Sequence, residues 1–198
     1  MNPWMPNEEM NLFYKYLDKA TNYFEFGSGG STYQALIRNN IKTIYSIENH
    51  EPYYKELSEK LKNNFDDITK LNYILINMKT KKNTTGHPDK DSKFDDWIKY
   101  SRYFKNLEKN IQEKIDLILI DGRFRAACLL NSFEFINNNT IIIFDDFYGS
   151  SPPREKYYNI VLNYFEIIEK TGRLVILKKK SVEKPSNEIL FKYEKQWL

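Results

Sequence analysis

The chain has 198 residues, is 41% hydrophobic and 16% aromatic, and sets 30 Lys plus Arg against 27 Asp plus Glu for a net charge of +3. That length fits one domain able to bury about 70% of its unfolded surface, and the composition excludes a disordered chain. The near-even charge lacks the basic excess of a protein held to phosphates by charge, so nucleic acid is a weak expectation.

In chain order, an amphipathic stretch over 7–18 predicts a helix within an N-terminal helical segment of residues 1–20. The apolar run Tyr23 to Phe26 reads as a strand ending in the turn Gly27-Ser28-Gly29-Gly30. Ser31 and Thr32 are placed to cap a helix reaching Asn39. Thr43 to Ile47 is the next strand, closed by Glu48, and Pro52 sits at a permitted first-turn position of a helix to Asn63. Leu71 to Ile76 is a third strand. The polar tract Lys79 to Ser92, with Gly86 and Pro88, reads as a loop and a candidate gate. Phe94 to Lys109 has helical spacing with a break near Ser101, so residues 79–110 form an insertion suited to a lid. Ile115 to Ile120 is the clearest buried strand and ends at Asp121-Gly122, before a helical stretch from Phe124 to Ile136. Ile141 to Phe144 is the fifth strand, closed by Asp145-Asp146. A loop over 149–154 holds Pro152 and Pro153, and a helix is expected from Glu155 to Glu169. Leu174 to Leu177 and Glu188 to Tyr193 read as a closing hairpin, its length being short for another crossover helix. The sum is a single α/β domain over 1–198: a doubly wound sheet of about seven strands, mostly parallel with an antiparallel last strand, and helices on both faces.

No run approaches the roughly 18 apolar residues of a spanning helix, so no membrane is expected. The opening MNPWMPNEEMN lacks the regions of a secretory signal. Cys128, the one cysteine, can form neither an internal disulfide nor a thiolate zinc cage, which points to a reducing, cytoplasmic compartment. It falls in an apolar helical stretch and reads as core. The sequons at Asn83 and Asn138 carry little weight without secretion, and the basic run Lys178 to Lys180 reads as a solvated strand end.

In an open parallel sheet, ligands bind beyond the carboxyl ends of the strands, where strand order reverses. Here those ends carry Glu25 to Gly30, Glu48, Asn77, Asp121 and Asp145 to Asp146. Each alone can be read as a helix cap; the series favours a site. A dinucleotide GxGxxG counted from Gly27 would put Thr32 at its third glycine, and no Walker loop exists, which disfavours nicotinamide cofactors and nucleoside triphosphates.

The run EFGSGGST, with Glu25 before Gly27 and Gly29, resembles motif I of the class I methyltransferases that use S-adenosylmethionine. Glu48 stands where that family keeps its ribose-binding acid, and DLILIDGRFR and IIIFDDF resemble its later strand-end motifs. The likeness runs over about residues 20 to 180 and implies a Rossmann-like fold, S-adenosylmethionine as cofactor and methyl transfer. One departure is Ser31, at a position where the family often has glycine. The cofactor contacts implied are Glu25, Gly27, Ser28, Gly29, Gly30, Ser31, Thr32, Glu48, Asn77 and Asp121. The residues suit that reading: glycines admit a ligand to the backbone, a helix N-terminus meets a carboxylate, and the two oxygens of Glu48 match vicinal ribose hydroxyls. Asn77 is a candidate reader of the adenine edge, or an ordinary loop residue.

Two schemes serve a hydroxyl acceptor. Asp121, Asp145 and Asp146 bind a cation such as Mg²⁺ that acidifies the hydroxyl, as in oxygen methyltransferases acting on catechols or sugars that the chain resembles. Alternatively one aspartate, preferably Asp121 or Asp146, is a direct general base. Arg123 and Arg125, which flank Phe124, can pair with these acids or anchor an anionic substrate. His50 and the aromatics Trp4, Trp97, Tyr100 and Tyr103 are further candidates near the rim. The expected acceptor is a small molecule, a sugar or glycan building block first, with room for a homodimer. The rivals are methylation of RNA, including a cap, or of protein, and a non-catalytic binding protein of the same fold.

Overall fold

The computed structural model describes residues 1–82, 84–149 and 154–197. Seven strands share one sheet: β1 (Asn22–Phe26), β2 (Thr43–Glu48), β3 (Leu71–Leu75), β4 (Leu117–Ile120), β5 (Ile141–Phe144), β6 (Phe165–Thr171) and β7 (Leu174–Lys179). The helices are α1 (Asn7–Leu17), α2 (Gly30–Leu36), α3 (Glu51–Asn64), α4 (Phe94–Ser101), α5 (Lys109–Gln112), α6 (Arg125–Ser132), α7 (Glu155–Tyr158) and α8 (Asn187–Tyr193). Across the sheet the order is β3-β2-β1-β4-β5-β7-β6. β1 to β5 pair in parallel, and β7 is antiparallel to both of its neighbours. The doubly wound α/β architecture expected of the sequence is therefore present, with strand order reversing between β1 and β4.

Alternation along the strands sorts side chains into two cores. On one face Phe24, Phe26, Ile118, Ile120 and Phe144 pack under Tyr100, Phe104 and the buried side of α6. Phe24 meets Phe26 at 4.8 Å and Phe104 at 5.1 Å between ring centroids, both edge-on, the favoured aromatic geometry. On the other face Tyr23, Ile44, Leu117, Leu119 and Ile143 pack against α1, α2 and α3 through Phe13, Leu17, Leu36 and Leu57. The continuous apolar runs of β4 and β5 follow from cover on both faces. Among the described residues no helix is long and apolar enough to cross a membrane.

Two sequence expectations are overturned. The helix expected from Glu155 to Glu169 stops at Tyr158, continues as a 3-10 turn over Asn159–Asn163, and gives way to β6. Spacing of apolar residues by three and four misled there, and the decisive signal was the turn after it. Gly172, with φ +55°, joins β6 to β7 in two residues, and Glu9 of α1 accepts the Arg173 N–H at 2.8 Å to close that turn. The closing hairpin is thus β6 with β7, and Glu188 to Tyr193 is not a strand but part of α8. Ser186 caps α8 by accepting the Ile189 N–H at 3.3 Å, while Ile189, Leu190 and Tyr193 face the core. The break near Ser101 is real: α4 ends there, before a 3-10 turn and α5. The sequon residue Asn83 and the loop prolines Pro152 and Pro153 lie outside the described residues.

The segment after α8 is pinned by Glu194, whose buried carboxylate accepts Arg102 Nε at 2.6 Å, Arg102 Nη2 at 2.9 Å and Asn131 Nδ2 at 3.0 Å. Arg102→Ala should cost stability approaching the about 3–5 kcal/mol of a buried charge left unpaired, with Asn131 keeping it at the lower end. A lower denaturant midpoint at unchanged slope is the expected result. A change below about 0.5 kcal/mol would show that the ion pair does not hold α8.

Candidate active site

Glu25, on β1 and in register with Ser46 of β2, is fully buried on the α2 side of the sheet. Its carboxylate accepts Tyr23 Oη at 2.8 Å, Ser31 Oγ and Ser46 Oγ at 2.6 Å each, and the Thr32 hydroxyl. Burial pushes its pKa up to about 7, with the hydroxyls opposing the rise. Thr32 Oγ1 also accepts the Gly29 N–H at 3.0 Å, which ties the turn to the first turn of α2. The side chains of Glu25, Ser31 and Thr32, three of the expected cofactor contacts, turn inward. A buried carboxylate needs donors, so the nearest hydroxyls go to it and not to the cleft. The same need accounts for Ser31 at its non-glycine position. The helix cap also comes from Thr32, three residues into α2, and not from Ser31 at its start.

The glycines divide by what they face. Gly27, at φ +90°, lies against the loop after β4: a Cβ there would stand 2.7 Å from Gly122 N and 2.8 Å from the Asp121 carbonyl carbon. It keeps the β1 and β4 ends in contact. A Cβ on Gly30 would stand 2.0 Å from Asn2 O, so the packing of the N-terminal segment requires glycine there. A Cβ on Gly29 would meet Tyr53 Oη alone within 4 Å, at 3.4 Å. Of the expected cofactor glycines, Gly29 is the one with an open face.

Glu48 closes β2 beside that face. Its Oε2 accepts Ser28 Oγ at 2.6 Å and Ser28 N–H at 3.2 Å, and its Oε1 accepts the Asn49 and His50 N–H groups at 2.8 Å each. Ser28 Oγ also lies 2.8 Å from Tyr73 Oη. Tyr53 and Tyr73 were not anticipated; nothing in their local sequence marks them, and they come to the turn through α3 and the pairing of β3. Asn77 donates to Glu51 at 2.6 Å and accepts the Lys79 N–H at 3.0 Å, so its amide serves the turn after β3, which argues against an adenine-reading role. His50 Nδ1 lies 2.5 Å from Thr80 Oγ1, and Asn49 Nδ2 donates to Gly86 O at 2.7 Å. The tract expected as a gate is thus fastened to the end of β2 and folds back on itself through a Thr80–Pro88 bridge.

On the other side of the reversal, buried Arg125 donates to Gly122 O and Asp121 Oδ1 at 3.0 Å each and to Asp145 O, and lies 3.4 Å from Asp146 Oδ2. Asp146 is in the left-handed region at φ 54° and is gripped by Arg154 and by Arg173 Nη1, the latter at 2.7 Å. Burial opposes its charge, yet Arg125, Arg154 and Arg173 together hold its pKa below the usual carboxylate range. Asp145 is pushed well up by burial and by the Asp121 charge, and its Oδ1 is buried without a hydrogen-bond partner. Asp121 is also raised, chiefly by burial and against Arg125. The Asp121 side chain is 33% exposed against 7% for Asp145, so Asp121 is the acid a ligand can reach.

The expected Mg²⁺ site is not supported by this donor set. Arg125 stands among the three aspartates, Asp146 is turned to two further arginines, and among the described residues no three His, Cys, Asp or Glu are arranged to hold a metal. The positive charge these carboxylates need is supplied by guanidinium. Cys128 is buried core, as expected. Tyr100 is buried and Trp97 packs on Phe124, whereas Trp4 is 95% exposed and covers nothing.

Because its folded pKa lies above the ordinary 4.5, the stability Glu25 contributes is full below that value and is lost as pH rises through about 7. Glu25→Gln should flatten the fall of melting temperature across that window. Parallel profiles for parent and variant would show that the carboxyl ionises as freely folded as unfolded.

No protein-family model and no curated protein sequence matches the chain. Solved structures do. A methyltransferase-like protein from Silicibacter pomeroyi superposes at TM-score 0.81 with 22% identity, covering 98% of this chain and 97% of that one. A Streptococcus mutans protein assigned as a methyltransferase, solved with S-adenosylhomocysteine, gives 0.55 at 13% identity, covering 89% and 100%. A tRNA (m1A58) methyltransferase of Aquifex aeolicus gives 0.55 at 14% identity, covering 92% and 72%. The chain has the Rossmann-like fold of the class I S-adenosylmethionine-dependent methyltransferases.

Proposed function

We propose that the chain is an S-adenosylmethionine-dependent methyltransferase acting on a hydroxyl of a small molecule, with a sugar or glycan building block as the first acceptor class. The observation that carries this reading is Glu48, which already holds a hydroxyl, that of Ser28, at 2.6 Å beside the open face of Gly29. Exchanging that hydroxyl for those of a ribose leaves the acceptor oxygens satisfied. The residues fit the cofactor: Glu48 and Ser28 would hold the ribose, and Gly29 leaves room for the backbone to approach. Tyr53 and Tyr73 would border the adenosyl group. When bound, the cofactor supplies a methyl group on a positively charged sulfur.

Alignment is the chain's main contribution, and intramolecular reactions place its worth at up to roughly 7–11 kcal/mol. Asp121 takes the proton that leaves the acceptor hydroxyl. It is the exposed member of the pair, and Arg125 fixes its orientation. Asp146, low in pKa and ion-paired, holds the turn after β5. A hydroxyl acceptor fits this base, and a small one fits the near-even charge of the chain. A buried, free Cys128 suits a cytoplasmic setting.

Gly29 is the position for the test, because a Cβ there meets only the Tyr53 hydroxyl, at 3.4 Å. Gly29→Val should keep a cooperative melt yet lose the stabilisation given by S-adenosylhomocysteine, about 2.7 kcal/mol at a hundredfold excess over Kd. A variant stabilised as strongly as the parent would remove this turn from the site. Glu48→Ala should weaken the same binding by about 1–3 kcal/mol in calorimetry; unchanged affinity would remove Glu48. Full turnover on a sugar in the presence of a chelator is expected of a direct base, and an acceptor whose binding falls steeply with salt would favour RNA instead.

A further inference from the structure

The sequence Arg123-Phe124-Arg125 places two arginines at the end of β4, and the structure treats them differently. Phe124 sits in the left-handed region at φ 55° with its ring buried against Trp97, so the chain turns sharply between the two. Arg125 takes the ion pairs with Asp121, Asp145 and Asp146. The half-buried Arg123 guanidinium makes no ion pair and no side-chain hydrogen bond among the described residues. Its titratable neighbours come from five segments: Asp121 after β4, Arg125 of α6, Tyr100 of α4, Tyr158 of α7 and His87 on the tract after β3. Burial and Arg125 both act against its charge, and in turn it lowers the pKa of His87 on the tract after β3. Half-buried and without a carboxylate on it, this guanidinium is open to an anion from the solvent side.

A second orphan stands beside it. Tyr100 Oη is fully buried with no hydrogen-bond partner. It lies over Gly122, where a Cβ would come within 2.0 Å of it, and Gly122 abuts the backbone of Phe26 and Gly27. The hydroxyl is therefore aimed at the point where β1 and β4 part. A buried hydroxyl left without a partner is destabilising, and a ligand oxygen would satisfy it.

We propose that Arg123 anchors an oxyanion, a phosphate or a carboxylate, borne by the small-molecule acceptor, and that Tyr100 Oη bonds the same molecule nearer the reacting hydroxyl. The acceptor is then an acidic sugar or similar acid alcohol. The guanidinium fork matches two oxygens of either group, and the tyrosine fixes the register of what is attached. This rests on the methyltransferase reading for the word acceptor, while the anion site stands on Arg123 and Tyr100 alone.

The test titrates the full chain, with and without S-adenosylhomocysteine, with inorganic phosphate, glucose 6-phosphate, glucuronate and glucose. Either acid binding more tightly than glucose by roughly ten- to hundredfold is expected, with that preference lost in Arg123→Gln and partly kept in Arg123→Lys. The two acids tell the phosphate and carboxylate sources apart. Tyr100→Phe should be at least as stable as the parent and bind the preferred acid more weakly, with S-adenosylhomocysteine affinity unchanged. Equal affinity for glucose and both acids, or a preference that survives Arg123→Gln, overturns the proposal. So does a short RNA that outcompetes both acids with a steep salt dependence. Arg123-dependent phosphate binding in a chain that ignores S-adenosylhomocysteine would support the anion site and overturn the methyltransferase reading alone.

Discussion

A carboxylate cut off from water must be surrounded by donors, and the placement of Glu25 in the sheet sets much of what lies around the strand ends. Four hydroxyls converge on it, from Tyr23 and Ser46 within the sheet and from Ser31 and Thr32 at the start of α2. Since two of them belong to the helix, the carboxylate determines where α2 begins, and through the Gly29 N–H it determines how the turn is held. Glu48 repeats the device one strand over, gathering Ser28 from that same turn and the N–H groups of Asn49 and His50. Two adjacent carboxylates thus stitch β1, β2 and their turns into one rigid edge. Rigidity at this edge is what alignment-based catalysis requires.

The half beyond β4 is organised by charge. Arg125 draws the ends of β4 and β5 together, and Asp146 is held by arginines from three segments. Phe124 and Asp146, which follow these strands, both adopt left-handed backbone, a conformation costing of order 1–3 kcal/mol that persists where surroundings over-determine it. A buried ring fixes the first and ion pairs fix the second. Both bends redirect charged side chains at the rim, so the strain has a consequence for which groups a ligand meets.

Much of this was legible in the sequence because the informative residues sit where apolar runs end. The strands over 23–26, 43–47, 115–120 and 141–144, the antiparallel last strand and the place of Glu48 and Asp121 at strand ends follow from that pattern. Residues 155–169 and 188–193 were misread because short segments with apolar spacing of three or four fit two structures. The turn at Gly172 and the cap at Ser186 would have decided both. The roles of Glu25, Ser31, Gly30 and Asn77 were invisible for another reason: a motif shows which residues lie at a turn, while register and packing decide which way each one faces. Ser46 could have been found from the pairing of β1 with β2, since it lies opposite Glu25. The sorting of Arg123 from Arg125 depends on the bend at Phe124, which no residue type announces.

The far half offers its charge unevenly. Asp121 pairs with Arg125, Asp146 with Arg125, Arg154 and Arg173, and Glu9 with Arg173. Burial and the neighbouring Asp121 charge act against ionisation of Asp145, and Arg123 is the one guanidinium near these acids that no described carboxylate occupies. On the proposed reading, a cationic donor entering beside Arg123 would be repelled unless an anion came with the acceptor. Binding of an acidic acceptor would therefore favour binding of the donor, and the two would enter the crevice with positive coupling.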